Sequence, residues 1–148
     1  MMKLLRLCLL VMLLLCNPSY AGVNNPGNLI TSSVKWRGAF PCTGRFVCFL
    51  TKTAGLRALV VNLRTYIKHY KLTTIKQIIT RWAPPHENDT KNYYLFVSRR
   101  VEVSPTARIR FTSGVLYKLV VAIIKMEKGY VDYNPKEIQN MIDKVFRL

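Results

Sequence analysis

Between Arg81 and Thr90 the chain packs a helix stop, a large aromatic, an acid and a helix start into ten residues, Arg-Trp-Ala-Pro-Pro-His-Glu-Asn-Asp-Thr. Pro84 and Pro85 follow Trp82 and cannot continue a helix, because each lacks a backbone N–H and biases its predecessor out of the α region. Asn88 or Asp89 then supplies the side-chain acceptor that opens the next helix. Glu87 is left on a rigid elbow between two helices, a position suited to a working carboxylate. Trp82 and the proline pair can desolvate such an acid and raise its pKa toward that of a general acid, whereas a nearby helix start or Arg81 stabilises its ionised form. Capping and catalysis therefore compete for this segment.

The elements that position the elbow follow from periodicity. Leu56, Leu59, Val60, Leu63, Ile67 and Tyr70 recur at helical spacing, with Arg57, Arg64 and Lys68 on the other side. Thr73 or Thr74 caps a shorter helix carrying Ile75, Ile78, Ile79 and Trp82. A third helix runs through Tyr93, Val97 and Val101 and stops before Ser104-Pro105. The fourth, capped near Thr112 or Ser113, is apolar around much of its circumference and reads as the central one. The last opens with Asn134-Pro135-Lys136-Glu137, a cap, a first-turn proline and an acid. From Gly22 to Lys52 the pattern is irregular, and Val34 to Trp36 is expected to pair with Phe46 to Leu50 as a small hairpin. The fold class is mainly α, about five helices behind a small irregular or hairpin segment.

Lys3 and Arg6 precede an apolar run from Leu7 to Leu15, and Ser19-Tyr20-Ala21 offers small residues for cleavage, so residues 1–21 read as a secretory signal peptide. The run falls below the ~20 residues that span a bilayer, so no stable span is expected after cleavage. Cys16 keeps a lipoprotein as the alternative, although Leu13-Leu14-Leu15 lacks the small residue wanted before a lipidated cysteine. Residues 22–148 suffice for one domain that buries roughly two-thirds of its unfolded surface. The net charge is +16, from 23 Lys and Arg against 7 Asp and Glu. Such an excess selects polyanionic surroundings, and export favours anionic envelope polymer over nucleic acid, for which no reading motif is present. In an oxidising compartment Cys42 and Cys48 are expected to form a disulfide; a buried apolar Cys48 with Cys42 in a turn is the competing reading. With His69 and His86 as the two histidines and no closely spaced cysteine pair, nothing calls for a metal or cofactor.

Asn24-Asn25-Pro26-Gly27-Asn28-Leu29, Trp36-Arg37-Gly38, Phe46 to Phe49, Gly55-Leu56-Arg57-Ala58, Thr74 to Ile79 and the elbow resemble a family of phage virion structural proteins with a Trp-Ala-Pro-Pro-x-Glu-Asn-Asp-Thr signature. The similarity runs from Asn24 to about Gly129. It implies a small lysozyme-like helical domain related to murein-degrading enzymes. The Asn-Asn opening and Trp-x-Gly also resemble bacterial glucosaminidases, whose catalytic glutamate precedes the Asn-Asn segment; here that stretch is the leader. Two departures are Glu102-Val103-Ser104-Pro105 for the family's Gly-Val-x-Pro and Glu127-Lys128-Gly129 for its Glu-Asn-Gly.

Glycan cleavage needs an acid to protonate the leaving oxygen; hydrolysis usually adds a second carboxylate, whereas lytic transglycosylation proceeds with one. Glu87 is the first candidate and Glu127, at the end of the fourth helix, the alternative acid. Asn24, Asn25 and Asn28 are candidates for hydrogen bonds to sugar and Trp36 and Trp82 for stacking, with Tyr93 beside the elbow as a further substrate-binding candidate, although turn formation and core packing claim the same residue types. Two functions follow: a secreted or periplasmic peptidoglycan-active enzyme, a lytic transglycosylase or glycosidase, or a non-catalytic virion or envelope structural protein that binds cell wall or another protein.

Overall fold

The computed structural model describes residues 22–147, so the signal-peptide and Cys16 readings lie outside the described residues. Helix α1 spans Lys52–Arg64, α2 Ile75–Trp82, α3 Thr90–Val101, α4 Ser113–Lys128 and α5 Pro135–Phe146. The fold is mainly α, with a small N-terminal segment carrying a two-stranded sheet. Each helix start is chemically specified. Thr51, Thr74, Asp89, Thr112 and Asn134 each accept a hydrogen bond from a first-turn backbone N–H. Thr74 and Gln77 complete a reciprocal capping box. Past Arg64, α1 runs on as a π-helical turn over Thr65–His69 before the chain reverses.

The apolar stripes converge as their spacing requires. Leu56, Leu59 and Leu63 of α1, Ile75, Ile78 and Ile79 of α2, and Leu116, Leu119, Ile123 and Ile124 of α4 are fully buried in one cluster with Ile138 and Ile142 of α5. Helix α4 packs against both α3 and α5, while α2 packs on α3 and α1 on α5. Among the described residues, no helix is long and apolar enough to cross a membrane.

The hairpin differs from the sequence expectation. Strand β1 is Ala39–Phe40 and pairs antiparallel with β2, Cys48–Phe49, in the register Ala39 opposite Phe49 and Phe40 opposite Cys48. Val34 to Trp36 does not pair. A turn closed by Ala39 N–H donating to the Trp36 carbonyl, with Gly38 at φ 80°, precedes the strand, while the Trp36 side chain packs against the cluster of Leu29, Val47, Phe49 and Ala58. The Phe46 to Leu50 run takes further partners from the opening loop: Val47 N–H donates to Leu29 and Phe49 N–H to Val23. Cys42 and Cys48 are disulfide-bonded, with Cα atoms 6.1 Å apart. A loop this short constrains the unfolded chain by about 2 kcal/mol. Reduction is expected to lower the melting temperature by several degrees and leave the helical far-UV signal intact, which paired melts with and without reductant would check.

The opening loop lies directly on α1. A Cβ on Gly55 would sit 1.7 Å from the Asn24 carbonyl oxygen, and one on Gly27 would sit 2.8 Å from the Trp82 ring. Both glycines are required by close approach. Together they carry Asn28 to the C-terminal end of α4.

Candidate functional site

A cleft of about 430 Å³ is bounded by the opening loop, the hairpin region, α1, the elbow and the end of α4. Glu127 lies on its wall, half-buried. Its Oε1 accepts from the Tyr93 hydroxyl at 2.7 Å and from Trp82 Nε1 at 3.3 Å, and its Oε2 accepts from Asn28 Nδ2 at 2.9 Å. Three neutral donors, from the opening loop, α2 and α3, fix one carboxylate on α4. Gly129, left-handed at φ 79°, ends that helix two residues later and lets the chain turn away.

The amide of Asn28 has a second notable property. Its Oδ1 is buried and has no hydrogen-bond partner among the described residues, although Asn28 lines the cleft. A buried acceptor without a donor costs about 1–3 kcal/mol.

Tyr93 lies behind Glu127 rather than on the cleft wall, and is buried. Burial, then the Glu127 charge and the hydrogen bond to it, push its hydroxyl well above the usual tyrosine range. The phenol therefore stays a donor to Glu127. Because the folded pKa exceeds the unfolded value, this contribution is fully present below about pH 10 and is lost as pH rises toward the folded pKa. Tyr93→Phe is expected to flatten the alkaline limb of the stability curve, read by thermal melts between pH 8 and 11; these set points bracket the ordinary tyrosine value of about 10.

Glu87 also lines the cleft but is differently placed. It is exposed, paired with Arg45 and 3.4 Å from His86 Nε2. The Trp82 indole N–H is turned to Glu127. The elbow is closed instead by Thr90 Oγ1 donating to the Ala83 carbonyl at 2.5 Å and Asn88 Nδ2 donating to the Pro84 carbonyl at 3.2 Å. Asp89 caps α3.

Two further candidates are structural. Asn25 is buried, with Nδ2 donating to the Leu29 and Val47 carbonyls and Oδ1 accepting from Leu29 N–H, each at 2.9 Å. Asn24, left-handed at φ 54°, donates to the Phe49 carbonyl. Neither lines the cleft, because the amides that stitch loop to sheet are consumed in doing so. Trp36 and Trp82 both line it. Arg81 does not brace Glu87 or Asp89; its guanidinium lies 3.7 Å from the centre of the Tyr70 ring and 5.3 Å from that of Tyr66. Asn62, Tyr66 and Arg45 join the wall without having been singled out from sequence. Asn62 and Tyr66 are four residues apart, a helical spacing that puts both on one side of α1 and its extension. Among the described residues, no group of three or more His, Cys, Asp or Glu is placed to hold a metal.

This chain is 36% identical over 122 residues to protein P5 of Pseudoalteromonas phage PM2, an alignment covering 78% of this chain and 74% of the relative. The chain belongs to the protein P5 family. No protein-family model matches it. P5-family membership makes this a phage-type protein.

Proposed function

We propose that this P5-family protein is an exported, virion-associated protein that takes a glycan strand of peptidoglycan into the cleft and cleaves it with Glu127 as its single acid. The observation that carries the reading is the Glu127 carboxylate held on the cleft wall by Asn28, Trp82 and Tyr93. The signature elbow and the Asn-Asn opening, similar to murein-active families, support it. So does the wall itself: Trp36 and Trp82 line it and offer aromatic surface to sugar rings.

The second carboxylate in the cleft, Glu87, is engaged by Arg45, which favours a one-acid reaction. In lytic transglycosylation the protonated Glu127 gives its proton to the leaving glycosidic oxygen as the C1–O bond breaks. The carboxylate then takes the proton of the sugar's own C6 hydroxyl as that oxygen bonds to C1. No water is consumed, and the product carries a 1,6-anhydro end.

A second reading rests on the same contacts. All three donors already occupy the carboxylate, so Glu127 also works as a latch between loop and helix in a non-catalytic structural protein of the virion or envelope. Incubating the mature protein with isolated peptidoglycan and examining soluble products by mass spectrometry separates the two. Anhydro-muropeptides are expected for the enzyme, and co-sedimentation with murein without any release for the structural protein.

A further inference from the structure

The cleft holds two arginines, and their situations differ. Arg45 is neutralised by Glu87. Arg81 has no carboxylate partner among the described residues. Its guanidinium is nonetheless held in place, with Cζ 3.7 Å from the centre of the Tyr70 ring and 5.3 Å from that of Tyr66, whose ring stands edge-on to Trp82 at 6.1 Å. A guanidinium carries five N–H donors, so one spent on the Tyr66 hydroxyl leaves others to match a carboxylate in a bidentate manner. Glu127 is held by neutral donors and carries the proton in the reaction given above, so Arg81 is the charge on the wall left without a partner, and an anionic ligand is drawn to it.

We propose that Arg81, pre-set by Tyr70 and Tyr66, is a carboxylate subsite of the cleft, making it selective for acidic over neutral glycans. The inference rests on the glycan reading given above and adds the class of sugar. In murein two sources supply the group: the lactyl carboxylate of a bare muramyl unit, or the free carboxylates of its peptide stem.

Calorimetric titration of the full mature protein with three probes tests this: chitobiose, the disaccharide bearing a free lactyl carboxylate, and that disaccharide with its peptide. The native protein is expected to bind at least one acidic probe more tightly than chitobiose. Arg81→Gln is expected to weaken that probe by about 10- to 100-fold while leaving chitobiose within about twofold, as loss of a charge-assisted pair implies. Arg81→Lys should recover part of the loss, since charge survives without the planar fork. The acidic probe that responds identifies the source. Equal binding of neutral and acidic probes, or an equal loss of both in an Arg81→Gln protein that melts normally, overturns the subsite and leaves the glycan reading standing. No binding of any probe by the native protein overturns both.

Discussion

Glu127→Gln is expected to abolish release of muropeptides from peptidoglycan, a loss of roughly 100- to 10,000-fold, the usual contribution of a positioned acid–base group. The substitution is mild for the fold. The introduced amide keeps one oxygen to accept from Tyr93 and Trp82, and its N–H₂ would face the donor that Asn28 now presents to Oε2. Rotation of the Asn28 amide resolves that conflict, because its Oδ1 lacks a partner and can accept. Melting temperature should therefore stay within a few degrees of native while turnover disappears. Glu87→Gln, in a solvent-facing pair with Arg45, should alter release by no more than a few-fold. Undiminished release by Glu127→Gln would move the acid elsewhere, and loss in Glu87→Gln alone would restore the elbow as the catalytic element.

Gly55→Ala should destabilise the protein, against the usual trend for glycine in a helix. Alanine at an unobstructed helical site is worth up to about 1 kcal/mol relative to glycine. At Gly55 the added methyl would fall 1.7 Å from the Asn24 carbonyl oxygen and 2.9 Å from Pro26 Cδ, so backbone must move. Overpacking of that kind costs about 1–3 kcal/mol, which exceeds the propensity gain. The melting temperature is expected to fall by several degrees. The displaced segment is the one that carries Asn28, so glycan binding should weaken as well. Gly114→Ala is the matched control, since a Cβ there meets nothing within 4 Å in the first turn of α4. It should leave stability unchanged or raise it slightly. A Gly55→Ala protein as stable as native would show that the loop does not depend on that approach.

By itself the sequence determined the helices, because their signals are local. The apolar residues of α1, α2 and α4 repeat at helical spacing, Thr74, Thr112 and Asn134 mark starts, and Pro84-Pro85 marks a stop, all within a few residues of the element they define. The hairpin was less legible. Val34 to Trp36 has strand-like residues, yet Trp36 is claimed by packing on Leu29 and Phe49, and β1 begins after the Gly38 turn. Asn28, Trp82 and Glu127 could each be named from residue type, but only the tertiary structure decided that they meet. Asn28 and Glu127 are 99 positions apart and Trp82 and Glu127 45, distances over which spacing carries no geometric information. The same holds for the demotion of Glu87. Its environment is set by Arg45, 42 residues away, and by an indole that turns toward Glu127. A carboxylate's role depends on burial and on which donors surround it, and the folding of α1, α3, α4 and the opening loop around the elbow supplies both.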